Sequence, residues 1–375
     1  MGIQSEKTPR MTLPSSRIKS VTFPPPPTTV EPDSKEGAKL ARMHLNEAPF
    51  GPSPRVLTAA AEALTNAHRY PDHNAVELIG RIAALTGVER SCISVGNGSG
   101  EILIAVAQLA IEAGDEAVFP APTFPTCGKG VQIAGGKLIE APLRDDGVND
   151  VASMLAALTD RTKLFYLCTP NNPTGGVLSA GEIALAADTV PDDCLLVVDE
   201  AYHEFANAEG GPDVLSILQR RTGPWVVTRS FSKAYCLAGL RTGYALCSSP
   251  DIRDALWALR SNFNLSRPAL AAASAAIADT EHLAHVLRQT LAERDRIAQT
   301  LQKMGCRLYS GSANFLTFQA NGDAVNLATM LGEQGVLVQV LPWPNSKGSI
   351  RVTIGSREEN DRFLTGIAAA RKDIV

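Results

Sequence analysis

Apolar positions along the chain follow two alternating rhythms. "PSPRVLTAAAEALTNA" (52–67) spaces alanine and leucine at helical intervals behind Ser53 and Pro54, a start signal for a helix. "EILIAVAQLAIEAG" (101–114) is apolar on nearly every side and stops at glycine, which predicts a buried helix. Between and after these come short apolar runs bounded by turn formers: "EAVFPA", "KLIEAP", "KLFYLC", "CLLVVDE" and "PWVVTRS". Runs of this kind, separated by helical or loop segments, predict an α/β fold whose large, mostly parallel sheet is covered by helices on both faces. Residues 268–304 are rich in alanine and leucine, then in arginine and glutamate, and predict one long helix. Strands near "FLTFQ", "VLVQV" and "IRVTIG", between helices at about 323–334 and 357–371, predict a smaller α+β domain. The expected division is a proline-rich arm over 1–42, a large domain over 43–267, and a small domain over 268–375 that begins with the long connecting helix.

Composition narrows the function classes. A chain of 375 residues, 45% hydrophobic and 20% charged, has enough apolar material for a sizeable core. Its net charge of −4 provides no field for nucleic acid or an anionic membrane. The seven cysteines form no C-x-x-C pair, so neither a disulfide framework nor a metal site is expected, and reduced thiols in a cytoplasm fit best. No apolar run is long enough to predict a membrane span. The N-terminus lacks the apolar stretch of a secretory signal, and "FPPPPTT" predicts an extended arm.

In open parallel sheets, ligands bind beyond the carboxyl ends of the strands, and three polar clusters fall there: "TPNNPTGG", "DEAYHEF" and "RSFSK". Asp199 emerges from a buried run, either as a cap or ion-pair partner or as a carboxylate facing a cationic ring nitrogen. Tyr202 offers a phenol to the same ligand or simply packs. Turn formation explains much of "PNNPTGG", but Asn172, held between Asn171 and Pro173, also offers a fixed amide. Lys233 alone reads as a solvated lysine. Its neighbours Ser230, Ser232 and Arg241 all suit a phosphate, so an amine beside a phosphate clamp is the sharper reading. In "SVGNGSGEIL", Gly98, Ser99 and Gly100 would expose backbone N–H groups at a helix start, an anion site, although the dinucleotide pattern G-x-G-x-x-G is not met. Phe124 in "PAPTFPT" is a core aromatic or a platform for a planar ring.

Seven motifs, "RYPD", "GNGSGE", "APTF", "PNNPTG", "DEAYHEF", "SFSKAYCLAGLRTGY" and "IRVTIGSREE", occur in the order seen in fold-type I pyridoxal-phosphate enzymes. From about residue 43 to its last helix the chain resembles the class I/II aminotransferases and, among them, the histidinol-phosphate aminotransferase family. The resemblance implies that Lys233 bonds the pyridoxal 5′-phosphate aldehyde and moves the proton, and that Asp199 pairs with the pyridine nitrogen. It gives Asn172 and Tyr202 the ring oxygen and Phe124 the ring face. The phosphate falls to Ser99, Ser230, Ser232, Arg241 and the N–H groups around Gly98 and Gly100. Tyr70 would reach the cofactor of a second subunit, implying a homodimer with shared sites, and Arg351 would bind the substrate carboxylate. An amino acid or amino-alcohol phosphate is the implied donor and a 2-oxo acid, 2-oxoglutarate first, the acceptor. Gln339 stands where the family usually has an arginine for the substrate's distal phosphate, and residues 1–42 contain no tyrosine to assist. A donor without that phosphate, aromatic or otherwise neutral, is therefore the alternative. A related decarboxylase would use nearly the same cofactor residues, and the arm is too short for the helical DNA-binding domain of a cofactor-binding regulator.

Overall fold

The computed structural model of the chain describes residues 18, 21, 40–309, 311–320 and 322–370, so nearly all of the proline-rich arm lies outside the described residues. Strands β1 (Ala41–Arg42), β2 (Ile93–Asn97), β3 (Glu116–Ala121), β4 (Lys137–Pro142), β5 (Thr162–Cys168), β6 (Leu195–Asp199), β7 (Trp225–Ser230) and β8 (Thr242–Cys247) come first. Seven of them form one sheet in the order β2-β8-β7-β6-β5-β3-β4. The five apolar runs of the sequence are β3 to β7, all parallel. β8 runs antiparallel to both β2 and β7. Sequence reading placed the start of β8 inside a phosphate-binding turn and missed it as a strand.

Alternation along these strands sorts the core into two layers. Phe165, Leu167, Leu196, Val198 and Val227 face one way, against the helices Val76–Thr86, Ala180–Thr189 and Arg267–Ala278. Leu164, Tyr166, Cys168, Val197 and Val226 face the other, against the helices Ser99–Ala110, Thr126–Ala134 and Pro250–Leu259. This second layer carries a tyrosine and three cysteines, and it leads straight to the site.

The single helix expected over 268–304 is two, Arg267–Ala278 and Thr280–Lys303, broken at Asp279. Asp279 caps the second through a 3.2 Å bond from the His282 N–H and accepts 2.6 Å from Ser53 Oγ. The first packs its alanines into the large core; the second sends Ile297 and Leu301 into a third core. That third core surrounds β9 (Arg307–Leu308), β10 (Phe315–Gln319), β12 (Gln339–Leu341) and β13 (Ser349–Thr353), an antiparallel sheet in the order β12-β13-β10-β9. β1 pairs in parallel with β11 (Val336–Leu337), and Ala41 and Met43 are buried in the third core. The chain thus begins its described course beside its own C-terminal strands. A small apolar cluster of Tyr202, Phe205, Ala234, Ala313 and Phe315 joins the two sheets where the polar strand ends converge.

All seven cysteines are free. Among the described residues no helix is long and apolar enough to cross a membrane, and no cluster of His, Cys, Asp or Glu is placed to hold a metal.

Candidate active site

Parallel register sets Cys168, Asp199 and Thr228 side by side at the ends of β5, β6 and β7. Asp199 is 1% exposed. Its Oδ2 accepts 2.8 Å from the Tyr166 hydroxyl and its Oδ1 accepts 3.0 Å from Thr228 Oγ1. Burial pushes its pKa up to about 6 despite these bonds. Neither Tyr166 nor Thr228 was found by sequence reading, because each sits inside an apolar run where a core role explains it.

Lys233 lies part-buried in the turn after β7 and donates 2.9 Å to the Asn46 carbonyl oxygen, with its Nζ 5.7 Å from the centre of the Tyr202 ring. Burial, then Arg351 and Arg241, lower its pKa to about 8. The Tyr202 hydroxyl accepts 2.9 Å from Asn46 Nδ2, and burial pushes its pKa up to about 12. Asn46 therefore touches both catalytic candidates. It adopts a left-handed conformation, φ 55°, which asparagine tolerates better than most residues. Its N–H donates 2.9 Å to Thr353 Oγ1, its Oδ1 accepts 3.1 Å from the same hydroxyl, and its carbonyl accepts 3.0 Å from Asn314 Nδ2. Asn46 lies within the stretch covered by the resemblance, but no role for it was read from the sequence.

The anion cradle is built from β2, β8 and the helix Ser99–Ala110. Gly98 has φ 77° and no side chain caps the first N–H groups of that helix. A Cβ on Gly98 would stand 2.6 Å from Arg241 Nη2, and one on Gly243 would stand 2.4 Å from the Ser99 nitrogen. Both positions need glycine for the backbone, the helix start and the guanidinium to come this close. Arg241 Nη1 reaches Ser232 Oγ at 3.4 Å, and Ser230 Oγ accepts 3.1 Å from the Ser232 N–H. Gly98, Ser99, Gly100, Ser230, Ser232 and Arg241 are thus brought to one locus. Phe124 is half-buried on the margin of the second core.

Arg351 comes from β13. Its Nη1 donates 2.5 Å to Asn172 Oδ1 and its Nη2 donates 2.8 Å to the His44 carbonyl, while its Nε is buried without a partner. Asn171, not Asn172, locks the turn, bonding Thr174 Oγ1 at 2.9 Å and accepting 2.8 Å from Thr123 Oγ1. That frees the Asn172 amide Nδ2 to donate. Gln339 pairs with Arg351 across β12 and β13 and donates 2.9 Å to the Val340 carbonyl. Tyr70 is not brought into this cluster within one subunit: it is 78% exposed and stacks on Phe263 at 4.5 Å.

The arrangement fits pyridoxal phosphate on physical grounds. A helix start without a cap, two hydroxyls and a guanidinium suit a phosphate. A buried carboxylate held by neutral hydroxyls has charge to spare for a ring cation, and a lysine with a depressed pKa suits imine chemistry.

Comparison with known proteins agrees. Residues 39–367 match the family described as aminotransferase class I and II. The chain is 36% identical over 333 residues to histidinol-phosphate aminotransferase 1 of Mesorhizobium japonicum, covering 88% of this chain and 90% of that one. It is 35% identical to an aromatic amino acid aminotransferase of Cutibacterium acnes, covering 90% and 95%. The crystal structure of histidinol-phosphate aminotransferase from Sinorhizobium meliloti in complex with pyridoxal-5′-phosphate superposes with a TM-score of 0.87 at 30% identity, over 98% of this chain and 99% of that one. By sequence and fold, the chain belongs to the class I and II aminotransferases, pyridoxal-phosphate-dependent transaminases of fold type I.

Proposed function

We propose that the enzyme moves an amino group between a 2-oxo acid, 2-oxoglutarate first, and an amino donor of the histidinol-phosphate type. The observation that carries this reading is the gathering around Tyr202 of the Lys233 amine, the buried Asp199 carboxylate and the Arg351 guanidinium. When bound, pyridoxal phosphate supplies the electron sink that acidifies the donor's reacting C–H bond. Lys233 Nζ, neutral in a useful fraction near pH 8, takes up that proton and returns it. Asp199 would accept from the ring nitrogen of the bound cofactor, and Tyr202 and Asn172 Nδ2 would donate to its ring oxygen. Arg351, steadied by Asn172 and His44, holds the substrate carboxylate by charge-assisted bonds. Phe124 covers the ring face.

A second donor class is favoured by one observation. Gln339, directly across from Arg351, carries no charge, which suits an aromatic amino acid better than a distal phosphate. Specificity constants for histidinol phosphate, phenylalanine and tyrosine, each with 2-oxoglutarate, decide between them. A preference of about 100-fold for histidinol phosphate, the size of one charged contact, supports the first reading, and the reverse supports the second. Release of carbon dioxide without glutamate would overturn both in favour of decarboxylation.

Exposed Leu57, Leu64, Tyr70, Val76, Leu259 and Phe263 support a homodimer in which Tyr70 completes the partner's phosphate site. Sedimentation at micromolar concentration is expected to give a dimer, and a monomer would overturn this. The free cysteines support a reducing compartment such as the cytoplasm.

A further inference from the structure

Asp199 lies in the second core layer, and both side chains that bond its carboxylate there are neutral hydroxyls, beside a backbone N–H from Ala201. Tyr166 and Thr228 are both fully buried. Around them the layer is built from Leu164, Val197, Val226 and Ala245. A phenylalanine at 166 and a valine at 228 would fill the same volume in such a layer. A hydroxyl placed there brings a desolvation cost that only a partner offsets, and the partner in both cases is Asp199. The geometry is symmetrical about the carboxylate. β5 lies on one side of β6 and gives Tyr166 to Oδ2; β7 lies on the other and gives Thr228 to Oδ1. The Tyr166 ring is set by stacking on Phe119 of β3, with centroids 4.8 Å apart and planes 25° from parallel.

We propose that Tyr166 and Thr228 are positioning residues for the cofactor: a two-sided hydroxyl clamp that fixes the plane of the Asp199 carboxylate and keeps it an ionised acceptor for the ring nitrogen. This rests on the reading of Asp199 as the ring-nitrogen partner. The choice of neutral donors follows from the charge balance. An arginine or lysine at either position would satisfy the carboxylate by itself and compete with the ring for its charge. Two hydroxyls favour the ionised form while leaving a full negative charge for the ligand. The other titratable groups that act on Asp199 add no cation: Glu200 beside it, Cys168 on β5, Cys127 on the helix Thr126–Ala134, and Tyr202 beyond.

The test uses full-length protein carrying Tyr166→Phe, Thr228→Val or Thr228→Ser, each alone and combined with Asp199→Asn. The readouts are the dissociation constant for pyridoxal phosphate between pH 5.5 and 8.5, and the melting temperature. Tyr166→Phe and Thr228→Val are each expected to weaken cofactor binding about 10-fold, the range for a hydrogen bond to a charged group. Each should also move the acid limit of binding upward by about one pH unit, because a carboxylate deprived of a donor protonates more readily. Thr228→Ser, which keeps the hydroxyl, should restore both. In the Asp199→Asn background the effects of Tyr166→Phe and Thr228→Val should largely disappear. Wild-type affinity and acid limit in both variants would overturn the clamp, as would losses of equal size in the Asp199→Asn background. If Tyr166→Phe fails to fold, the Thr228 pair decides alone. Unchanged binding in Asp199→Asn itself would instead overturn the assignment of Asp199 on which the clamp rests.

Discussion

Lys233→Ala is expected to lower turnover by roughly 10²- to 10⁴-fold, the range that a positioned general acid–base supplies. The argument starts from the amine's surroundings. Burial and the neighbouring Arg351 and Arg241 bring its pKa down from 10.5 to about 8. At pH 7.5 about a quarter of such an amine is neutral, against about one part in a thousand for an ordinary lysine. The sign is definite: the protonated form is lost as pH rises, so the wild-type half-reaction should accelerate through about pH 8 and then level off. The hydrogen bond to the Asn46 carbonyl fixes the position of Nζ beside the Tyr202 ring. Rapid mixing of cofactor-loaded protein with amino donor alone measures this step. Alanine at 233 should remove both the rate and its rise with pH. A variant within ten-fold of wild type would remove Lys233 from the mechanism.

Asp199→Asn is expected to stabilise the cofactor-free protein and to cripple the loaded one. Burial raises the Asp199 pKa from 3.8 to about 6. The unfolded chain therefore gives up its proton first. Folded-state stability is unaffected below about pH 3.8, falls between there and about pH 6, and stays lower by about 3 kcal/mol above that. Asparagine keeps the shape, and the Tyr166 and Thr228 hydroxyls can rotate to suit its amide. At pH 8 the cofactor-free variant should melt above wild type, and at pH 4 the two should nearly coincide. With pyridoxal phosphate added the order should reverse. Removing one partner of a buried charge pair costs about 3–5 kcal/mol, which corresponds to roughly 10²- to 10⁴-fold in cofactor affinity. Thermal melts with and without cofactor at both pH values check the crossing. A variant that melts below wild type at pH 8 without cofactor would show that the buried carboxylate does not destabilise the cofactor-free fold.

The parts of this molecule that were legible in its sequence are those in which one short stretch carries the whole signal. β3 to β7 were found because each is an unbroken apolar run closed by turn formers. Asp199 was found because a carboxylate closes such a run, and Lys233 and Arg241 because Ser230 and Ser232 crowd phosphate-suited groups around them. β8 was missed because "TGYALC" begins with residues that also suit a tight approach to phosphate. The break at Asp279 was passed over within an alanine-rich stretch, although an aspartate followed by "TEH" is a recognisable helix start. Tyr166, Thr228 and Asn46 were out of reach for a different reason. Their partners lie 33, 29 and as many as 307 residues away, and a hydroxyl inside an apolar run looks like packing until the strands are laid side by side.

The bonds of Asn46 also bear on the order in which the chain folds and comes apart. They reach residues 156, 187, 268 and 307 positions downstream, to Tyr202, Lys233, Asn314 and Thr353. Closing loops of that length carries a larger entropy cost than the short crossovers that join β3 to β7, though β2 and β8 of the large sheet are themselves far apart in sequence. The seven-stranded sheet is complete by Cys247, yet the bracket cannot form until β13 has been made. The Asn46 bonds that hold Lys233 and Tyr202 are therefore complete only once β13 is in place. By the same token they are vulnerable to local opening: release of one buried N-terminal segment would unfasten Lys233 and Tyr202 while the sheet beneath them stays folded. Inactivation by heat or denaturant should precede melting of the core.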